Sequence, residues 1–356
     1  MPPPVGRWIP ALLINAALAA VVAAAAPAQP RLSDRAEYEY TGRHGFDANC
    51  PNSIYCYRVL VPMLLDRIPA DPERRWRAHQ WLAHTATGTV VSMAVAPIGS
   101  PLLAAVVLQL SYPFAFTAYD PFTADPLVFL IAALTLHCWL LDRWLAFTLI
   151  AAIGVFAKET VALIASAPAI AVMFADRPPR LRWWLPAITA WIALLAFHWY
   201  MDTYYGWGIT KNPAANFSGG SWLALWWRNN PSLARKALML FSPFGFAWLF
   251  AALGYRFATP AIRQLAIGAV LPIAVLIYVQ TPERALGNAF FVVVPLAAAF
   301  LSRVSPASAW AAVATNGLVT AKIGLSTAWL PSTSILLIPA SLSAAWAIAS
   351  SRRQSA

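Results

Sequence analysis

Acidic side chains are scarce in this chain of 356 residues, and they fall in a few short polar segments. Asp47 follows a turn that contains Gly45 and precedes Cys50. A carboxylate that is held in place can remove a proton from an incoming hydroxyl or amine. Asp47 is therefore a candidate general base, with a solvated loop aspartate as the other interpretation. Asp34 and Glu39 lie close by in sequence and are substitutes for the same role.

A second polar segment, residues 119–125, carries two aspartates that are each followed by proline, Asp120 and Asp125. The residue before proline favours extended or turn geometry, so both carboxylates are expected at the mouth between two helices. Asp125 is also placed to cap the next helix, with Pro126 at its first position. Asp120 lacks that structural explanation and is the second catalytic candidate, while Asp125 is a candidate for substrate contact.

Two further charged steps stand between apolar runs. Lys158 and Glu159 interrupt the stretch 144–175, and Arg284 follows Glu283 where another run begins. Such charges are costly unless they lie at an interface or have a partner. Lys158 and Arg284 are suited to hold a phosphate or carboxylate, the arginine through two hydrogen bonds. The alternatives are a bare hairpin turn at Lys158 and a headgroup anchor at Arg284.

Cys50 and Cys56 lie six positions apart in a polar segment, so a disulfide is expected if that segment faces an oxidising compartment. Cys138 lies in an apolar run and is expected to serve packing. No phosphate-binding glycine loop, HExxH or GxSxG motif occurs. ATP-driven transport and zinc proteolysis therefore have no support, and no ligand set points to a metal cofactor, although a divalent metal is not excluded.

The composition places these residues in a membrane. Hydrophobic residues make up 60% and charged residues 11%, with a mean hydropathy of +0.60, whereas soluble domains are nearer a quarter charged. Seventeen Trp and eleven Tyr fit many membrane–water boundaries. The net charge of +11 is scattered through short loops, which does not indicate a nucleic-acid partner. It suits an anionic inner leaflet or an anionic substrate.

We therefore predict an all-α fold, a polytopic transmembrane helical bundle of about ten to twelve spans that forms a single domain over residues 1–356. The first run also resembles a cleavable leader, with Ala26-Pro27-Ala28 as its cleavage region, although we expect it to stay uncleaved. The apolar runs are 8–28, 79–98, 101–118, 126–142, 144–157, 160–175, 184–200, 236–254, 264–280, 287–302, 307–324 and 333–350.

Lys and Arg in short loops predict the orientation. With the N-terminus inside, basic loops such as 176–182 and 256–263 fall inside. The outer side then receives the long first loop 29–78, the second large loop 200–235 and the short segments 119–125, 158–159 and 281–287. Arg67, Arg74, Arg75 and Arg77 oppose this arrangement. We interpret Tyr57–Ile68 as a short amphipathic helix on the outer surface.

Of the fourteen acids, this orientation leaves only Asp142 and Asp176 inside, which indicates an outward-facing site. The pattern resembles the GT-C superfamily of integral membrane glycosyltransferases, which take a sugar from a polyprenyl-phosphate donor. The resemblance covers most of residues 1–300. It is carried, in chain order, by Asp47, then Tyr57-Arg58-Val59-Leu60-Val61-Pro62 (similar to the family's "YRxLxP"), the acids Asp120 and Asp125, Lys158-Glu159, and Arg284 before the proline-containing run with Pro295.

The resemblance implies that Asp47 activates the acceptor while Lys158 and Arg284 hold the lipid-linked phosphate. His44, Tyr57, Arg58, Asp125 and Glu159 complete the candidate substrate-binding set. The expected setting is a bacterial inner membrane with the site facing the periplasm or exterior. The expected partners are the bilayer, a polyprenyl-phosphate-linked sugar and an acceptor that the sequence does not identify. The competing functions are a transporter or flippase, and a membrane scaffold without enzymatic activity.

Overall fold

The computed structural model is entirely helical in the part of the chain that it describes, with no strand there. This confirms the all-α prediction. The described residues are 8–27, 34–50, 56–174, 181–206, 227–230, 232–274 and 282–354. The basic segment 176–180 and most of the second large loop, with Trp207, Trp222 and Trp226, lie outside them.

The N-terminal half contains nine helices in the described ranges. They are α1 (Trp8–Ala25), α2 (Arg35–His44), α3 (Leu60–Asp66), α4 (Pro72–Val95), α5 (Pro101–Gln109), α6 (Tyr112–Tyr119), α7 (Asp125–Leu141), α8 (Trp144–Gly154) and α9 (Thr160–Met173).

The C-terminal half contains α-helices and two short 3₁₀ helices, Leu181–Trp183 and Tyr255–Phe257. Its described helices are α10 (Trp184–Tyr205), α11 (Leu233–Phe241), α12 (Ala247–Gly254), α13 (Pro260–Gly268), α14 (Val270–Ile273), α15 (Pro282–Gly287), α16 (Phe290–Leu301), α17 (Pro306–Leu325) and α18 (Thr333–Gln354).

Several helices begin at a Ser or Thr N-cap that is followed by proline. Ser100, Thr259 and Ser305 each accept a hydrogen bond from a backbone N–H in the first turn, and each precedes a proline. The hydroxyl satisfies a donor that has no partner within the helix, and proline needs no such bond at the first position. These residues therefore begin α5, α13 and α17.

Three helices among the described residues are long and apolar enough to cross a membrane: Trp8–Ala25, Leu181–Tyr205 and Thr333–Ser351. The bent pair α5 and α6, with 48° between them, makes a fourth if it is one span. The remaining apolar helices, such as α16, are shorter than a bilayer core requires on their own. The chain thus has helices suited to a membrane, and the count of ten to twelve spans stays a prediction.

Two of the predicted apolar runs are broken by contacts with distant segments. At the bend between α5 and α6, the Tyr112 N–H donates to the Pro243 carbonyl (3.2 Å) and Thr320 Oγ1 donates to the Leu110 carbonyl (2.7 Å). Between α11 and α12, Gly245 has a positive φ of 57° and Asn316 accepts from the next backbone N–H (2.7 Å). These partners satisfy the backbone groups that a helix break leaves open.

The core is centred on α16, all of whose residues are buried. It packs against α12 at Gly254, where an added Cβ would collide with the Leu296 carbonyl. Phe290 stacks edge-on against Phe114 and Phe129, so α6 and α7 close the same core from another side. The helices that carry the polar ends are therefore fixed by one continuous apolar interior.

A buried polar contact ties α1 to α4 and α5. Asn15 donates to Ser92 Oγ (3.2 Å), and Gln109 donates to Asn15 Oδ1 (3.3 Å). The amide side chains lie over Gly88, where an added Cβ would overlap both of them. Interhelical hydrogen bonds and small residues of this kind hold helices together where water is excluded.

The connections between helices contact one another in two groups. In one group Arg58 binds Glu159, and Trp329 donates to the Ala25 carbonyl (3.4 Å). In the other, Arg182 binds Asp142 and the Ser100 N–H donates to Ser302 (2.7 Å). If successive helical runs cross the bundle in alternating directions, the two segments joined by each of these contacts fall at the same end of the bundle.

Candidate functional site

Asp125, the first residue of α7, is the buried centre of a cluster of ions. Its side chain is 8% exposed. Lys158 donates to Oδ1, and Arg284 donates to Oδ2 through Nε (3.1 Å) and Nη2. Each carboxylate oxygen therefore has its own cation, from a different part of the chain. Charge-assisted bonds of this kind are the stronger class of hydrogen bond.

Asp125 does not cap its helix, contrary to one interpretation of the Asp-Pro step. The residue before the helix is Ala124, whose side chain makes no capping hydrogen bond. Instead, Thr123 Oγ1 accepts from the Asp125 N–H (3.3 Å) and from Arg284 Nη2 (3.4 Å). Two cations compete for the carboxylate better than neutral N–H groups do, so the side chain turns away from the helix end.

A second ion pair adjoins the cluster through the chain itself, because Glu159 follows Lys158. Arg58 donates to Glu159 through Nε (3.1 Å) and Nη2 (2.7 Å). The Leu60 N–H donates to the Phe156 carbonyl (3.0 Å), which fixes the first-loop segment against the turn between α8 and α9. Arg58, predicted as a substrate contact, thus reaches the same place as Lys158 and Glu159.

Burial and neighbouring charges shift the pKa values of the two charged residues in this turn, Lys158 and Glu159. Burial alone would raise the pKa of the Glu159 carboxyl, but the Arg58 guanidinium outweighs it and the pKa lies below its ordinary value. Burial lowers the pKa of the Lys158 ammonium, with Asp125 acting against that effect. The shift at Glu159 favours its charged form, whereas the shift at Lys158 opposes the charged form.

Three cations and two carboxylates make up this set, which we call the ion cluster: Arg58, Asp125, Lys158, Glu159 and Arg284. Asp34 also acts electrostatically on Arg284. With Asp34 included, the three cations of the cluster face three carboxylates. Each of the three cations is thus paired with a carboxylate of the cluster, Arg58 with Glu159 and the other two with Asp125.

Asp47 belongs to a separate and more exposed network beyond the end of α2. Tyr40 donates to Oδ2 and the Asn49 N–H donates to Oδ1 (3.0 Å). The His44 ring stacks on Tyr40 at 4.4 Å between centroids. The Asn49 N–H and the Tyr40 hydroxyl lower the pKa of Asp47, so the carboxylate is ionised at neutral pH.

Asp120 lies where α6 ends and is buried, unlike Asp47. Its N–H donates to the Phe116 carbonyl (2.8 Å), one turn earlier. The Arg284 guanidinium lies over the ring of Phe116 at 5.3 Å from the centroid. Asp120 is thus one helical turn from a residue that contacts the ion cluster, which keeps it in the candidate site.

Tyr57 turns away from the ion cluster toward α10. Its ring stacks on His198 at 3.9 Å, and its hydroxyl donates to Asp202. Burial and Asp202 raise the pKa of Tyr57, so it remains a donor. Asp202 falls within the predicted loop 200–235 but lies in helix α10, and its place at the end of an apolar run is the sequence signal that could have identified it.

A disulfide joins Cys50 and Cys56, with their Cα atoms 6.1 Å apart. Cys56 packs with Tyr57 and Met201, and Phe197 and Tyr205 lie around them. The bond therefore anchors the residues just before Arg58 to α10. Cys138 is a buried free thiol, in keeping with a packing role.

No protein-family model, no curated protein and no solved structure matches this chain.

Among the described residues, no three His, Cys, Asp or Glu side chains come together as a metal site. A cavity of about 420 Å³ opens between α1, α4 and α5, but it is mostly apolar and its lining includes no residue of the ion cluster. The ion cluster is the candidate site, with Asp120 one helical turn from Phe116 and Asp47 in the network beyond α2.

Proposed function

We propose that this protein is a membrane glycosyltransferase that moves a sugar from a polyprenyl-phosphate donor to an acceptor at the outer face of the membrane. One observation carries the proposal. The short motifs that resemble the GT-C superfamily are far apart in sequence, yet Arg58, Asp125, Lys158, Glu159 and Arg284 meet in a single cluster around the buried Asp125. Four separate segments converging on one place is what a shared site requires.

The proposal includes a polytopic arrangement of about ten to twelve spans in a bacterial inner membrane, with the ion cluster on the outer side. The two groups of contacts between helix connections support it, since each group contains only segments that alternation assigns to one side. In this arrangement residues 29–78 and 200–235 form the outer loops. The breaks in α5–α6 and α11–α12 account for helices that are too short to span alone.

The cluster supplies what the donor needs. Its phosphate takes hydrogen bonds from Lys158 and Arg284, and Asp125 gives up part of its hold on them. As the bond between the sugar C1 and the phosphate oxygen breaks, these cations stabilise the charge that grows on the phosphate. A phosphate leaving group carries that charge without a proton, so a general acid is not needed.

The acceptor needs a base. The acceptor oxygen attacks C1 with inversion, and its proton passes to a carboxylate, for which Asp47 is the leading candidate and Asp120 the second. Asp47 is accessible from water and ionised at neutral pH, which a base that receives a hydrophilic acceptor requires. Asp120 is buried, and its N–H donates to the carbonyl of Phe116, whose ring lies under the Arg284 guanidinium.

The test is glycosyl transfer in membranes from a panel of radiolabelled polyprenyl-phosphate sugars, with variants at matched expression. Asp47→Asn is compared with Asp120→Asn, and Asp142→Asn, which removes an exposed carboxylate at the other end of α7, is the control. Loss of transfer in Asp47→Asn alone supports the assignment of the base. Loss in Asp120→Asn alone moves the base there. Absence of transfer from any donor in the wild type counts against the enzyme.

A transporter or flippase is the second candidate, and one observation favours it. His84 of α4 is fully buried, with its ring between Gln80 (2.8 Å) and Thr117 (2.9 Å). An ionisable residue inside a membrane helix often marks a pathway for substrate or protons. Uptake of a labelled substrate into vesicles without chemical change, abolished by His84→Ala, would favour transport over transfer.

A further inference from the structure

Helix α11, Leu233–Phe241, presents an apolar surface that the described protein leaves uncovered. Leu233 and Leu240 are 79% and 52% exposed, and Ala237 between them is exposed as well. The spacing i, i+4, i+7 places these three on one face of the helix. The opposite face carries Met239, which is buried. Exposed leucines in such a row need an apolar environment to cover them.

Two cations lie in the first turn of α11: Lys236 is beside the apolar row, and Arg235 is on the same side as Met239, four residues later. The Lys236 ammonium lies over the ring of Trp227 at 4.1 Å from the centroid. Arg235 donates to Asn230 (3.2 Å), so both side chains are directed toward the start of the helix. A tryptophan beside basic residues and a row of leucines is typical of a helix at the boundary between headgroups and acyl chains.

The charged residues in the stretch of sequence that contains α11 are all cations. No Asp or Glu occurs between Asp202 and Glu283, whereas Arg228, Arg235 and Lys236 all lie within the segment 227–241. The partner that complements this surface combines a negative group with an apolar body. An anionic phospholipid has both, and a soluble anion or an acidic peptide lacks the chains that would cover the leucines.

The position of α11 matters because the helix packs beside α15, which carries Arg284. We propose that α11 is a docking site for anionic phospholipid, with the lipid phosphate on Arg235 and Lys236 and the acyl chains along Leu233, Ala237 and Leu240. The lipid thereby steadies the helix next to the ion cluster. The inference rests on the membrane location and does not depend on glycosyl transfer.

The test is native mass spectrometry of the purified full-length protein with phosphatidylglycerol as the anionic probe and phosphatidylethanolamine as the zwitterionic reference. The double variant Arg235→Gln/Lys236→Gln is compared with Arg256→Gln/Arg263→Gln. The control pair is matched, because Arg256 and Arg263 also lie over aromatic rings, at 4.6 and 5.9 Å.

We expect the Arg235→Gln/Lys236→Gln protein to lose phosphatidylglycerol affinity by about tenfold, because each cation near a membrane surface contributes measurably to anionic lipid binding. The control pair should keep it, and Lys236→Arg should keep it as well. Unchanged affinity in the double variant, or an equal loss in the control, would overturn the proposal. The proposal would also be overturned if the wild type were a dimer and the Leu233→Ser/Leu240→Ser variant were a monomer, because a second copy of the chain would then cover the apolar face.

Discussion

The two ends of α7 carry the same kind of pair in different surroundings. At the first residue, Asp125 binds Arg284 and Lys158 with 8% of its side chain exposed. Just after the last residue, Asp142 binds Arg182 with 34% exposed, and Trp183 donates to its other oxygen (3.2 Å). Each aspartate reaches an arginine far away in sequence. Water can replace the partner at Asp142 and cannot readily do so at Asp125.

Burial therefore decides what each pair does. An exposed pair gains little, because water already solvates both charges. A buried pair that loses one member leaves the other charge without solvent or partner. The same Asp–Arg contact is thus replaceable at one end of α7 and required at the other, and the following variants test that difference.

The largest effect is expected for Asp125→Asn. It leaves Lys158 and Arg284, whose side chains are 13% and 24% exposed, with a neutral partner. Breaking a fully buried pair costs about 3–5 kcal/mol, so we expect a loss near the lower end of that range. The measurement is thermal unfolding of the detergent-purified protein. A melting temperature equal to that of the wild type would show that the cluster is solvated and would remove the contrast with Asp142.

The disulfide is expected to have a smaller effect. Replacing Cys50 and Cys56 by serine removes a link that closes a short loop, which is expected to cost about 2 kcal/mol or less. The same unfolding measurement, with and without reductant, checks this value. The wild type in reductant should match the double serine variant, and a reductant effect that persists in that variant would contradict the assignment.

Acid should weaken the second ion pair of the cluster. The pKa of Glu159 lies below its ordinary value, so its contribution is present above the unfolded-state pKa and is lost as the pH falls through the folded-state pKa. We expect the melting temperature to fall on acidification below about pH 5, and to fall less steeply in Glu159→Gln. Parallel curves for the two proteins would assign the acid sensitivity to other groups.

Asp142→Asn should have the smallest effect, about 1 kcal/mol or less, because its pair with Arg182 is partly solvated. Adding salt should reduce even this difference, since exposed charges are screened. A loss as large as that of Asp125→Asn would mean that burial does not distinguish the two ends.

Helix existence was predictable from the apolar runs, and the helix breaks were not. The bend between α5 and α6 depends on Thr320 and Pro243, and the break before α12 depends on Asn316. These partners lie far away in sequence, and hydropathy contains no information about them. The runs 101–118 and 236–254 therefore read as continuous in sequence although each contains two helices.

The charged residues of the site could be predicted as candidates, but their partners could not. Lys158 and Glu159 are conspicuous because they interrupt an apolar stretch. Asp125 invited a local explanation, helix capping, and the structure gives it a long-range role with Lys158 and Arg284. Which residues pair depends on how the helices pack, and sequence spacing fixes only contacts within a turn or two.

The contact among Asn15, Gly88 and Gln109 has a consequence for how this sequence can change over time. The two amides occupy the space that a side chain at position 88 would need. A larger residue at position 88 is tolerated only after Asn15 and Gln109 have been replaced by shorter residues. A sequence that has made those replacements but still has Gly88 would contain a void and would lack the hydrogen bonds of the two amides. The three positions should therefore vary together among related chains, as a unit inherited intact or replaced as a whole.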